Sequence, residues 1–201
     1  MTKLRISYNA PVILTFAIAA IVAYVLPQSA HSWFVSYPHL DGAKTYVGLV
    51  SYALGHASWE HLLSNFMIIL LVGPLLEERY GSLGLFVMIV VTALIGGLAN
   101  LAFGTHPLLG ASGVAFMMIV LASTGNMRMG EVPLTFIAVA AIYLGGEIYR
   151  SVANNDNIAH GAHILGGVVG AAFGFITAKP KIVKLKKTEA IAAKPAAAKP
   201  K

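Results

Sequence analysis

The chain has 201 residues, of which 57% are hydrophobic and 11% charged, with a formal net charge of +6. Soluble domains carry roughly a quarter charged residues, so this balance excludes an ordinary soluble enzyme. The absence of cysteine removes disulfides, thiolate metal sites and a cysteine nucleophile. Eight of the fourteen basic residues lie between Lys179 and Lys201. A basic end beside apolar spans is a topology and lipid-surface signal, so membrane lipid is an expected partner and nucleic acid is not.

Six apolar stretches follow in chain order: Pro11 to Leu26, His61 to Leu76, Leu83 to Phe103, Ser112 to Thr124, Val132 to Tyr149 and Ile158 to Ala178. A helix needs about 20 residues to cross a bilayer, and these stretches approach that length. Lipid leaves unpaired backbone groups unsatisfied, so helices are expected; the period-2 pattern of a barrel is not seen. The expected fold is an all-α membrane protein of six transmembrane helices. One membrane domain covers 1–178, and a disordered basic cytoplasmic tail covers 179–201. Lys3 and Arg5 ahead of the first stretch also fit a signal peptide. The anchor reading is favoured, because Gln28 breaks the small-residue pattern of a cleavage site.

Six spans put both termini on one side. With the termini cytoplasmic, inside segments hold Lys3, Arg5, Arg79, Arg128 and the eight basic residues of the tail, while outside segments hold Lys44 and Arg150. That is a positive-inside distribution. Pro27 to Glu60 becomes a long external loop, whose apolar run Tyr46 to Leu54 is too short to span and suits the outer leaflet.

Polar groups at membrane depth are costly and mark functional sites. His61 and Asn65 lie four apart in the second stretch and share a helix face. Ser112 opens the fourth stretch within Gly110-Ala111-Ser112-Gly113, and His163 lies in the first turns of the sixth. The second, fourth and sixth stretches run in the same direction and carry these residues near their starts, so all of them share one depth below the external surface. From Ser112 to Met127 a helix reaches about 24 Å, against a hydrocarbon core of about 30 Å. Ser112 is therefore expected to be submerged, in a cavity that admits water from outside. Ala162, Gly166, Gly170 and Gly174 recur every four positions, and such a stripe lets helix backbones approach closely in lipid. Packing of that stripe on the face that begins at Ser112-Gly113 brings His163 towards the Ser112 hydroxyl.

Serine needs a base to take its proton, and His163 is the candidate, able also to return the proton to the leaving amine. No acidic residue is placed to orient His163, so a dyad is expected rather than a triad. Backbone N–H groups at the start of the fourth stretch, with His61 and Asn65, are candidate oxyanion donors. Gly110 and Gly113 leave room for a substrate backbone. A zinc protease would want His-Glu-x-x-His, whereas the order here is Glu60-His61-Leu62-Leu63-Ser64-Asn65. The only aspartates, Asp41 and Asp156, fall in loops, which leaves serine chemistry.

The run His56-Ala57-Ser58-Trp59-Glu60-His61-Leu62-Leu63-Ser64-Asn65, with Gly73, Glu77, Arg79 and Gly81 after it, resembles the second helix of rhomboid proteases. Gly110-Ala111-Ser112-Gly113 is similar to their nucleophile motif. Ala159-His160-Gly161-Ala162-His163 with Gly166 and Gly170 resembles their last helix. The resemblance implies a six-helix rhomboid fold, catalytic Ser112 and His163, oxyanion support from His61 and Asn65, and a gating role for the fifth span and the loop after it, with Gly145-Gly146 supplying flexibility. It implies single-span membrane proteins as substrates, cut near the outer face. No cofactor or metal is expected, and the compact six-span plan favours a prokaryotic cytoplasmic membrane over an organelle membrane. Three features depart from the pattern: no Trp-Arg pair stands in the first external loop, Phe116 stands where tyrosine is common, and Leu165 where glycine is common.

Blander readings exist for each residue. Ser112 alone suits a helix N-cap, His163 a helix-bridging hydrogen bond, and Asn65 a membrane-helix glue. His160 suits a loop or orienting role. His56 and His106 suit loop positions or the cavity wall, and Glu77 and Arg79 suit the anchoring of a helix end. A metal site from His56, His61, His160 and His163 is disfavoured, because no carboxylate or cysteine joins them. Two rival functions remain: a rhomboid-like pseudoprotease that binds membrane clients without cutting them, and a small transporter, which would need a polar path across the bilayer.

Overall fold

The computed structural model describes residues 8–124, 131–142, 145 and 157–178. The N-terminal Lys3 and Arg5, Arg128, Gly146, Arg150 and the tail from 179 onward lie outside the described residues, as does the side chain of His160. The described residues are helical throughout their regular elements. In chain order these are α1 (Pro11–Val25), α2 (Ala43–Ser51), α3 (Trp59–Tyr80), α4 (Ser82–Phe103), α5 (Ser112–Ser123), α6 (134–142) and α7 (Asn157–Ile176). Short 3-10 turns at Gln28–Phe34 and Tyr52–Leu54 flank α2.

Two helices, α3 and α4, are each 22 residues long and apolar enough to cross a membrane. Pro11–Val25, Ser112–Ser123 and Gly161–Ile176 are apolar but shorter. Both long helices turn bare hydrocarbon outward, with Leu71 75% and Leu83 76% exposed. Inward, Leu62, Phe66, Ile69, Leu85, Met117, Met118 and Leu121 build one continuous core with Ile13 of α1.

α3 outruns the apolar stretch His61 to Leu76 at both ends. Ser58 caps its start by accepting from the His61 amide at 3.2 Å. Its far end continues through Glu77, Glu78 and Arg79, where hydropathy alone stops, to Gly81 at φ +75°. Glu77 anchors a helix end as its position suggests, and the end belongs to α1. Its carboxylate accepts from the Val12 amide (3.0 Å), the Ile13 amide (3.1 Å) and the Ser82 hydroxyl (2.7 Å). Pro11 has no N–H, so these bonds satisfy the donors that the first turn of α1 leaves open.

The long loop after α1 is built rather than loose. Ser36 pairs with Leu108 through two backbone bonds of 2.9 and 2.8 Å. Asn100 of α4 donates to the Ser36 carbonyl at 3.0 Å. Gly96 and Gly97 of α4 receive the Tyr52 side chain and the Leu49 backbone so closely that neither position has space for a Cβ. The loop is thus clamped to α4 on one side and to the segment leading into α5 on the other.

Candidate active site

Three pieces of chain meet around the start of α5. The first is the turn that delivers Ser112. Gly110 donates its N–H to the Tyr52 carbonyl at 3.0 Å and adopts φ +124°, a conformation that side chains rarely take. Ala111 occupies the N-cap position and Ser112 is the first helical residue. The N-cap reading of Ser112 therefore does not hold, and its half-buried hydroxyl is not committed to capping the helix.

The second piece is the outer part of α3. A Cβ at Gly110 would lie 2.8 Å from both Cε1 and Nε2 of His61 and 3.8 Å from Nδ2 of Asn65. Glycine at 110 is what lets these two side chains lie against the backbone just ahead of Ser112. His61 and Asn65 are thus brought together with Gly110, as their shared helix face suggests.

The third piece is α7, which packs on α5 through the glycine stripe. A Cβ at Gly166 would overlap the Gly113 backbone, one at Gly170 would overlap the Met117 backbone, and one at Gly174 would lie 2.5 Å from the Thr124 side chain. Gly113 in turn has the Ala162 carbonyl 3.2 Å from where its Cβ would sit. The neighbours of Ser112 and His163 are therefore in backbone contact. The His163 ring lies flat on Phe116, with centroids 4.5 Å apart and planes 3° from parallel. Phe116 is one helical turn beyond Ser112, so the imidazole and the hydroxyl occupy the same end of one helix pair. Phenylalanine preserves the ring packing that the departure from tyrosine leaves possible.

The sequence places His56 in a loop or on the cavity wall, and its partners are the main addition. His56 is 7% exposed, with Nε2 3.1 Å from Asn65 Nδ2 and Nδ1 3.2 Å from the Leu54 carbonyl. Its ring meets that of His61 edge-on, centroids 5.0 Å apart. Burial, with the His61 imidazole beside it, lowers the His56 pKa to about 4, so the ring is neutral near pH 7. Both ring nitrogens are engaged, which leaves no lone pair for the metal site weighed above. His106 sits on the exposed loop after α4 and bonds its neighbour Thr105 at 2.8 Å. A cavity of about 420 Å³ opens between α4 and α7; its lining includes Asn100, Ala162 and Leu165 but neither Ser112 nor His163.

The chain also matches known proteins. A family model described as Rhomboid domain matches residues 43–180. Rhomboid-related protein 1 of Caenorhabditis elegans is 33% identical over 161 residues, covering 74% of this chain and 44% of that protein. The rhomboid protease GluP of Bacillus subtilis is 32% identical over 123 residues, covering 58% of this chain and 24% of that protein. The rhomboid protease GlpG of Haemophilus influenzae is 27% identical over 135 residues, covering 65% and 69%. The chain thus spans less than half the length of the first two relatives. Together with the apolar helices, these matches make it an integral membrane protein. With the domain match running through α2 to α7 and around the whole site, the chain belongs to the rhomboid family.

Proposed function

We propose that this protein is an intramembrane serine endopeptidase that hydrolyses peptide bonds of transmembrane proteins. Ser112 is the nucleophile and His163 the general base. The Ser112 hydroxyl attacks the substrate carbonyl while His163 takes its proton, then passes it to the departing amine. Water, activated by the same imidazole, hydrolyses the acyl-enzyme and restores the hydroxyl. The negative oxygen formed at each stage is met by backbone N–H groups at the start of α5 and by the side chains of His61 and Asn65. Gly110 and Gly113 keep the approach open to an extended substrate.

The observation that supports this reading best is the interlock of Gly113 with Ala162 and Gly166, because it holds positions 112 and 163 at one end of two closely paired helices. The finer topology belongs to the same proposal: six spans, both termini cytoplasmic in a prokaryotic membrane, and a wet site below the outer face. Single-span substrates then enter beside the fifth span and are cut near that face.

The test is cleavage of a transmembrane reporter by purified protein in lipid vesicles, with Ser112→Ala and His163→Ala as controls. Cleavage by the wild type, reduced by about 10⁴-fold or more in either variant, is the expected result. Failure to cut a varied set of substrates would instead favour the pseudoprotease reading.

A further inference from the structure

We infer that His56 is a positioning residue, which holds the Asn65 amide with its nitrogen, rather than its oxygen, turned towards the site beside Gly110. This inference rests on the proteolytic reading and adds to it a residue that touches no reacting atom.

The argument starts from a backbone carbonyl. The Leu54 oxygen can only accept a hydrogen bond, and it lies 3.2 Å from His56 Nδ1. Nδ1 therefore carries the proton, and in a neutral ring Nε2 is then an acceptor. Asn65 presents Nδ2 to that acceptor at 3.1 Å. With the amide reversed, its oxygen would face the Nε2 lone pair. Asn65 is 6% exposed and His56 7%, so little water is available to soften that clash. The carbonyl at 54 thus sets the tautomer, and the tautomer sets the amide.

The consequence falls on the site. Nδ2 carries two hydrogens, and one is used on His56. The same nitrogen lies 3.8 Å from the Cβ position of Gly110, in the gap that glycine leaves. Its second hydrogen is the one free to meet an oxyanion. A reversed amide would offer an acceptor to a negative oxygen. The low pKa of His56 keeps this arrangement intact around neutral pH.

The test uses full-length protein in vesicles with a transmembrane reporter. His56→Phe keeps a ring but accepts nothing; it is expected to lower kcat about 10- to 100-fold with KM within about twofold of wild type. His56→Gln retains an acceptor and is expected to keep several-fold more kcat than His56→Phe. In an Asn65→Ala background, His56→Phe is expected to cost nothing further. Equal losses for the two His56 variants, a loss that multiplies with Asn65→Ala, or a change in thermal stability with kcat intact would each overturn the inference. A second readout does not need cleavage: the Asn65 side-chain NH₂ resonance of ¹⁵N-asparagine-labelled protein is expected to shift in His56→Phe. An unmoved resonance sinks the positioning role, whereas a wild type that cuts nothing but shows the shift sinks only the protease reading.

Discussion

One helix, α3, carries a buried polar cluster at each end, and the two clusters are spent differently. Near its close, Glu77 accepts three hydrogen bonds, from Val12, Ile13 and Ser82, and both of its carboxylate oxygens are engaged in joining α1 to α3 and α4. Near its start, Asn65 gives one hydrogen of Nδ2 to His56, and the same nitrogen lies beside a gap kept by Gly110. Both residues lie in apolar surroundings where polar atoms are costly. The difference is an unspent donor. A carboxylate with both oxygens bonded holds the fold; an amide with a donor left over beside a glycine gap is available for chemistry.

The sharpest way to break this comparison is to delete each side chain in turn. Asn65→Ala is expected to lower kcat by about 10²- to 10³-fold, the usual cost of one oxyanion donor, while the melting temperature stays near wild type. Glu77→Ala is expected to do the reverse. It strands two amides of α1 and costs about 3 kcal/mol of stability, with the surviving folded protein nearly as active. Cleavage rates beside thermal unfolding curves check both. Loss of activity without loss of stability at Glu77 would erase the distinction.

The glycines at the two ends sharpen it further. Gly81 and Gly110 both hold positive φ, +75° and +124°. A Cβ at Gly81 meets nothing within 4 Å, so Gly81→Ala bears only backbone strain, about 1 kcal/mol. A Cβ at Gly110 would press on the His61 ring. Gly110→Ala is therefore expected to cost about tenfold or more in kcat on top of that strain, because an ångström of displacement at a site is expensive. Equal activity in the two variants, measured at matched folded fractions, would show that the gap is unimportant.

How much of this is legible in the sequence depends on range. Ser112, His61, Asn65 and His163 are legible as candidate residues because each is a polar intrusion at the start of an apolar run. The glycine stripe of α7 was legible because its period is that of a helix, and its partner face on α5 follows from volume alone. His56 was visible as a residue but not as a partner, since the fold of Tyr52–Leu54 and the cap at Ser58 bring it onto Asn65. The anchoring role of Glu77 was legible and its target was not, because α1 lies 64 residues away in sequence. The external loop shows in the sequence only as a long segment with an apolar run too short to span; its helices pack where Gly48, Gly96 and Gly97 admit neighbouring backbone or side chains that a Cβ would collide with. Such contacts are made between segments and leave no periodic trace in either one. The six-span count rests on the sequence, since two of the described helices have spanning length.

The smallest expected effect concerns protons. His56 is held neutral, with its pKa lowered to about 4 by burial, while an unfolded chain would titrate it near the ordinary value of about 6.5. Above pH 6.5 the ring is neutral in both states and contributes nothing to pH dependence. Between 6.5 and 4 the unfolded chain binds a proton that the folded one refuses, so stability falls as pH falls, and the full loss is reached below 4. The slope cannot exceed that of one proton, ~1.4 kcal/mol per pH unit, and water near the site reduces it. Melting temperatures of Ser112→Ala, which cannot digest itself, are expected to drop between pH 7 and pH 5. The same drop should be shallower when His56→Phe is added, because every other titratable side chain is common to the two proteins. If the two pH profiles run parallel, His56 is protonated as easily in the folded protein as in water, and the neutral tautomer that orients Asn65 loses its physical basis.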